Sequence, residues 1–145
     1  MAFFLSVPST FTEIDADSVD ADSTVPCSSW VWMPTGSNVT FTSPNYPDNY
    51  GWKDCSWVFF ASNSGAEVQI DCSDFELQGR FWGMCLFDVL SIKFDILDIK
   101  KFCSTDGPQN ELSTAQWAIV KFRADFYNHF KGFKCTATAV NSTTT

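Results

Sequence analysis

A chain of 145 residues with a formal net charge of −8 holds one domain's worth of core with room for a tail. Such a charge repels phosphate backbones, which excludes nucleic acid as a partner. Fifteen Phe and six Trp favour strands over exposed coil. Six Cys, a lone His129 and no CxxC spacing exclude a zinc cluster and point to three disulfides formed in an oxidising compartment.

Residues 1–26 are small, polar and acidic, punctuated by Pro8 and Pro26. The apolar start Met1–Val7 has no basic residue ahead of it and is too short for more than the remnant of a secretory signal. No stretch is long and apolar enough for a membrane helix, so a soluble, secreted protein or a piece of one is expected. Residues 1–52 carry six acids and no Lys or Arg, whereas residues 53–145 carry eleven acids against nine bases. Segment 1–26 therefore reads as a tail or linker, with Glu13, Asp15, Asp17, Asp20 and Asp22 as a solvated spacer. The sharper alternative is a strand or tail docked on a Lys-bearing surface, its own or a neighbour's. Phe3, Phe4, Leu5 and Phe11 are its sticky points.

The domain is expected over 27–140, with a Thr-rich end at 141–145. Short alternating runs separated by turn residues, without a sustained 3.6-residue period, predict an all-β sandwich. Ser29–Met33 and Asn38–Thr42 flank a Pro34-Thr35-Gly36 turn. Cys55, Trp57 and Phe59 share one face of the next strand; Val68, Ile70 and Cys72 share a face of another. Asp88, Leu90 and Ile92 lie together, Phe94–Phe102 reads as a further strand, and Asp106-Gly107-Pro108 as a turn. Ala118, Val120 and Phe122 line one side of a long strand, and the last strand sets Phe133, Cys135, Ala137 and Ala139 on one side.

Residues 42–60 contain Ser-Pro-Asn-Tyr-Pro-Asp-Asn-Tyr followed by Cys55-Ser-Trp57. This run resembles the hallmark of CUB domains, which are extracellular β-sandwich modules. Cys85-Leu-Phe-Asp-Val-Leu-Ser-Ile92 is similar to that family's CxYDxLxI strand, Phe122-Arg-Ala-Asp125 to its FxSD segment, and Lys131-Gly-Phe133 to its closing GF. The ordered matches span residues 27–139. The resemblance implies two antiparallel sheets in a jelly-roll-like sandwich, with pairings Cys27–Cys55 and Cys85–Cys103. Cys72 and Cys135 are extra to the common four-cysteine pattern. Alternation puts both on inward faces, as a disulfide across the sandwich requires. Residues 72–77 and 133–139 are similar to a three-disulfide variant found in arthropod secreted proteins, including non-catalytic domains of venom and haemolymph serine proteases. Among six cysteines 15 pairings exist, and spacing alone selects none of them.

The same resemblance implies a calcium site built from one Glu and two Asp at an end of the sandwich. Asp88 and Asp125 match the two Asp positions. The Glu position holds Gln78 when counted from Phe75 and Arg80 when counted back from Asp88, and Glu76 reaches it only with a shifted register. The alternatives are a calcium site and a structural network of Asp with Arg or backbone N–H groups. The loop Gly79–Met84 carries Arg80, Phe81 and Trp82, a candidate binding loop if exposed and a cap on the core if folded back. For Phe126–Phe130, core or rim packing is the expectation.

No nucleophile elbow or base–nucleophile pair is present, so the chain is read as a non-enzyme. The expected function is extracellular recognition of a protein or glycan through end loops, as an accessory domain of a larger secreted protein. The alternative is a self-assembling structural protein in which residues 1–26 pair with a neighbouring subunit. Asn38-Val-Thr40 and Asn141-Ser-Thr143 make Asn38 and Asn141 glycosylation candidates.

Overall fold

The computed structural model describes residues 7–20, 23–51, 53–125 and 130–141. Ten strands follow in chain order: β1 (Thr12–Asp15), β2 (Ser29–Met33), β3 (Asn38–Thr42), β4 (Cys55–Ala61), β5 (Ala66–Glu76), β6 (Val89–Lys93), β7 (Ile99–Phe102), β8 (Glu111–Leu112), β9 (Trp117–Arg123) and β10 (Gly132–Asn141). They form a six-stranded sheet in the order β1-β2-β4-β9-β6-β7 and a four-stranded sheet in the order β3-β10-β5-β8.

The core lies between the two sheets and is built by the alternation read from the sequence. Cys55, Trp57, Phe59 and Ala61 point inward from β4, Ala118, Val120 and Phe122 from β9, and Phe133, Cys135, Ala137 and Ala139 from β10, all 3 % exposed or less. Phe41, Trp57, Phe122 and Phe133 meet at the centre, with Phe133 ringed by the other three at centroid separations of 5.2 to 6.1 Å. Edge-on packing of this kind adds roughly 0.5–1.5 kcal/mol per pair to the burial of the rings.

Pairing within the six-stranded sheet is mixed rather than wholly antiparallel, because β1–β2 and β2–β4 are parallel. After β2 the chain crosses to the other sheet as β3 and returns to β4 in the same direction, the crossover that a parallel pair needs. The acidic N-terminal segment contributes β1, registered Glu13 with Trp30 and Asp15 with Trp32. It docks on its own sheet, as the sharper reading held, but against tryptophans rather than lysines: Trp32 Nε1 donates to Glu13 at 2.7 Å. Ala16 and Val25 join the core.

Phe94–Phe102 is not one strand. The Asp95 carboxylate accepts from the Leu97 and Asp98 N–H groups at 2.8 and 2.9 Å, and this Asx turn closes the β6–β7 hairpin. Strand β8 gave no signal, since two residues are too few for alternation.

The disulfides are Cys27–Cys55, Cys72–Cys135 and Cys85–Cys103. The second does not cross the sandwich. Cys72 and Cys135 are register partners on neighbouring strands β5 and β10 of one sheet. Residues directly opposite one another on paired strands point to the same face, so shared inward orientation is equally the signature of an in-sheet bond.

Candidate functional site: the Asp88 end of the sandwich

At one end of the sandwich β5 and β9 finish while β4, β6 and β10 begin. The Ser43–Tyr50 turn closes over this end. Ser43 Oγ accepts the Phe133 N–H at 3.0 Å. Gly132 beside it has φ +90°, and a Cβ there would sit 1.8 Å from Ser43 Oγ, so only glycine lets the turn seat. Tyr50, 1 % exposed, stands edge-on to Phe122 at 5.0 Å and donates its hydroxyl to Asp88 Oδ2. The Asp125 N–H donates to Asp88 Oδ1 at 2.7 Å. The Gln78 backbone N–H also reaches the Tyr50 hydroxyl. Asp88 is fully buried. Burial pushes its carboxyl above the ordinary range, against the pull of the Tyr50 and Asp125 hydrogen bonds; burial and the Asp88 carboxylate push the Tyr50 phenol up as well. The result is a buried carboxylate with both oxygens occupied by donors.

Asp88 and Asp125 are thus neighbours. Arg80 is not part of the group: its guanidinium pairs with Asp106 at 2.6 Å. Gln78, the other candidate for the third position, has its side-chain Oε1 buried without a hydrogen-bond partner. Tyr50 is the member that sequence reasoning missed, although it stands in the motif quoted for the family. A second, shallower cluster sits beside the first: Tyr46 donates to Asp74 Oδ2, and Lys131 Nζ lies 2.8 Å from Asp74 Oδ1.

The loop between β5 and β6 projects from this end. Phe81 and Met84 exchange backbone hydrogen bonds of 2.9 and 3.1 Å, leaving Trp82 and Gly83 as a two-residue turn with φ +57° and +75°. Positive φ at both central residues is the tight hairpin geometry that matches strand twist. Glycine takes it freely; a tryptophan does so at a cost of order 1 kcal/mol. The loop is tied down by Arg80–Asp106, by the Cys85–Cys103 disulfide and by Phe81 against Phe87 at 5.8 Å. Phe81 and Trp82 do not cap the core. Trp82 is 84 % exposed, Phe81 50 %, Met84 59 % and Leu86 46 %. Asn38 and Asn141 are both exposed, at the far end of β3 and β10. The Phe126–His129 segment lies outside the described residues.

A family model for the CUB domain matches residues 27–136. The chain belongs to the CUB domain family. Over 105 residues, 70 % of the chain, this CUB domain is 33 % identical to embryonic protein UVS.2 of Xenopus laevis and spans 20 % of that protein's length. It superposes on the full extracellular region of zebrafish Gpr126/Adgrg6 with a TM-score of 0.66 at 31 % identity, covering 77 % of this chain and 14 % of that one. The CUB2 domain of MASP-1, solved bound to Ca²⁺, superposes with a TM-score of 0.63 at 22 % identity over 73 % of this chain and 96 % of that one.

The residues of this CUB domain do not fit a three-carboxylate calcium site. Counted from Phe75, the position of the third carboxylate holds the neutral amide of Gln78, and no group of three acidic, His or Cys side chains is close enough to hold a metal among the described residues. One negative charge fewer weakens the attraction for a hard cation, and Asp88 already has donors on both oxygens. The arrangement is that of a hydrogen-bonded structural network which anchors the end loops.

Proposed function

We propose that this CUB domain is a non-catalytic extracellular recognition module whose Phe81–Trp82 hairpin inserts into a partner protein. The observation that carries this reading is Trp82: the chain holds a large aromatic at positive φ, on a braced loop, with 84 % of it in water. Strain and exposure together disfavour that conformation within the chain itself, and a partner's pocket would offset both. Phe81, Met84 and Leu86 beside it extend the apolar contact. A protein surface matches this apolar area better than a glycan does. The sequons at Asn38 and Asn141, at the opposite end, would carry sugars without obstructing it. Three disulfides and membership of the CUB family support a module that works outside the cell. Spanning about a fifth of UVS.2 is consistent with an accessory domain of a larger secreted protein. Assembly by tail exchange is not adopted, because Thr12–Asp15 already pair with β2 of the same chain.

The test is a binding screen of the domain, displayed as a dimeric fusion, against a panel of extracellular proteins, followed by Trp82→Ala and Phe81→Ser on any binder found. At least a tenfold loss of affinity at unchanged Tm is expected. Binders that tolerate both substitutions would place recognition elsewhere.

A further inference from the structure

The outward face of β9, β6 and β7 is cationic in a chain that is acidic overall. These three strands contain no Asp or Glu, although the chain holds 17 acids against nine bases. Leu90, Ile92, Val120 and Phe122 point into the core, which turns the alternate residues outward. Register sets Lys121, Ser91 and Lys101 in one row across the strands, and Ile119, Lys93 and Ile99 in the next. Arg123 extends the patch beside Val89. Strands lie about 4.8 Å apart and alternate residues about 7 Å along a strand, so the Cα atoms of the three lysines surround Ser91 within about 10 Å of one another.

The fold does not employ these charges. The ion pairs among the described residues are Arg80–Asp106, Lys100–Glu111 and Lys131–Asp74, and none of them includes Lys93, Lys101, Lys121 or Arg123. Asp54 directs its carboxylate to the Ala124 N–H at 3.2 Å. Lysine on an edge strand deters pairing with other chains, which accounts for Lys101 on β7. Lys93 and Lys121 stand on interior strands, where that reason does not hold.

Ser91, Lys93, Ile99, Ile119 and Lys121 line an open hollow of about 380 Å³, above the roughly 300 Å³ at which small-ligand sites begin. A ligand matched to it has an apolar face for the isoleucines and anionic groups for the ammonium groups around them. A sulfated sugar has both: its C–H face lies on Ile99 and Ile119, and its sulfates meet the lysines as point charges. An acidic peptide matches less well, because β6 and β9 are paired on both sides and leave no backbone for strand addition. Nucleic acid also matches less well, because aliphatic side chains rather than stacking rings lie between the lysines. We propose that the β9-β6-β7 face binds a sulfated polysaccharide. This site is separate from the Trp82 hairpin and does not rest on the recognition reading. The net charge of −8 repels a polyanion at a distance, but salt screens that repulsion over about 8 Å, and the local cluster decides contact.

Fluorescence anisotropy of a labelled heparin decasaccharide, titrated with the full chain at about 50 to 300 mM salt, tests this directly. The wild type is expected to bind, with log K falling linearly against log salt as counterions are released. Lys93→Ala with Lys121→Ala is expected to lose about tenfold or more in affinity at the lowest salt, with Tm unchanged. Lys101→Gln with Lys121→Gln, both at exposed positions, repeats the test should the first pair lower Tm. Lys53→Ala with Lys134→Ala removes the same charge elsewhere on the surface and is expected to change affinity by less than about twofold. No binding at the lowest salt overturns the proposal, as does binding indifferent to the lysines of the face. An equal loss from the Lys53 and Lys134 pair overturns it too, since net charge alone would then set the affinity. Equal affinity for the desulfated decasaccharide, or for single-stranded DNA of the same charge, removes the sulfated polysaccharide as the ligand.

Discussion

Tyr50 holds Asp88: the phenol hydroxyl donates to the Oδ2 of a carboxylate that is completely buried. Thirty-eight positions apart in sequence, the two residues join the Ser43–Tyr50 turn to the start of β6. Removing the hydroxyl while keeping the ring isolates this contact. Tyr50→Phe preserves packing on Phe122 and leaves Asp88 one donor short, and a buried group deprived of a partner costs about 1–3 kcal/mol. Thermal unfolding of the variant should show a Tm lower by roughly 4–10 °C; an unchanged Tm would mean that the contact contributes nothing net.

Counted from Phe75, Gln78 stands where the family resemblance implies a carboxylate. Millimolar calcium is expected to leave the wild-type Tm where it is. Gln78→Glu puts a carboxylate where the amide oxygen is buried without a partner, which should lower Tm in chelator through the cost of burying the charge and make it rise with calcium. Calorimetry with and without calcium reads both. A calcium-dependent rise in the wild type would show that two carboxylates and an amide suffice.

The Cys72–Cys135 bond spans a sequence separation of 63 residues. Cross-linking a loop of that length stabilises by about 4 kcal/mol through the unfolded chain. Replacing both cysteines by Ala should therefore shift the denaturant midpoint by about that much, with the other two disulfides intact by mass spectrometry. A shift below about 1 kcal/mol would show that β5–β10 pairing already restricts the unfolded chain.

Asp74 supplies a pH dependence. Hydrogen bonds from Lys131 and then Tyr46 hold its carboxyl below the ordinary 3.8. A depressed folded value means that the contribution is present above pH 4 and lost as pH falls through the lower folded value. The Lys131 ammonium is raised above 10.5 by the same carboxylate, so its share is present below that value and lost at more alkaline pH. The pair is largely solvated, so the effect is small. Urea midpoints of wild type and Asp74→Asn should differ at pH 7 and converge near pH 3; parallel curves over that range would remove Asp74 as the source.

Much of this architecture was legible in the residues. Strict alternation placed Trp57, Val120 and Phe133 inside, and the Ser-Pro-Asn-Tyr-Pro run with its cysteine spacing led to the family. Where reading failed, the missing information was a neighbour. Inward parity for Cys72 and Cys135 is the same whether they face each other across the core or sit side by side in one sheet. Gln78 and Arg80 were indistinguishable as the third site position because the hairpin between them and Asp88 has a length that counting cannot resolve. In the fold Arg80 is drawn to Asp106 instead. Exposure of Trp82 depended on the backbone of the two-residue turn that carries it.

Composition, cysteine parity and period-two alternation determined a disulfide-bonded β-sandwich and sorted its side chains into two faces. Only the tertiary structure decided which strands are neighbours. That ordering brings Tyr50 to Asp88 and lines Glu13, Trp30, Val58, Ile119 and Lys93 into a single row. The physical reason lies in the strand itself: alternation says which way a residue points, while its partner is set by registers that join segments tens of residues apart.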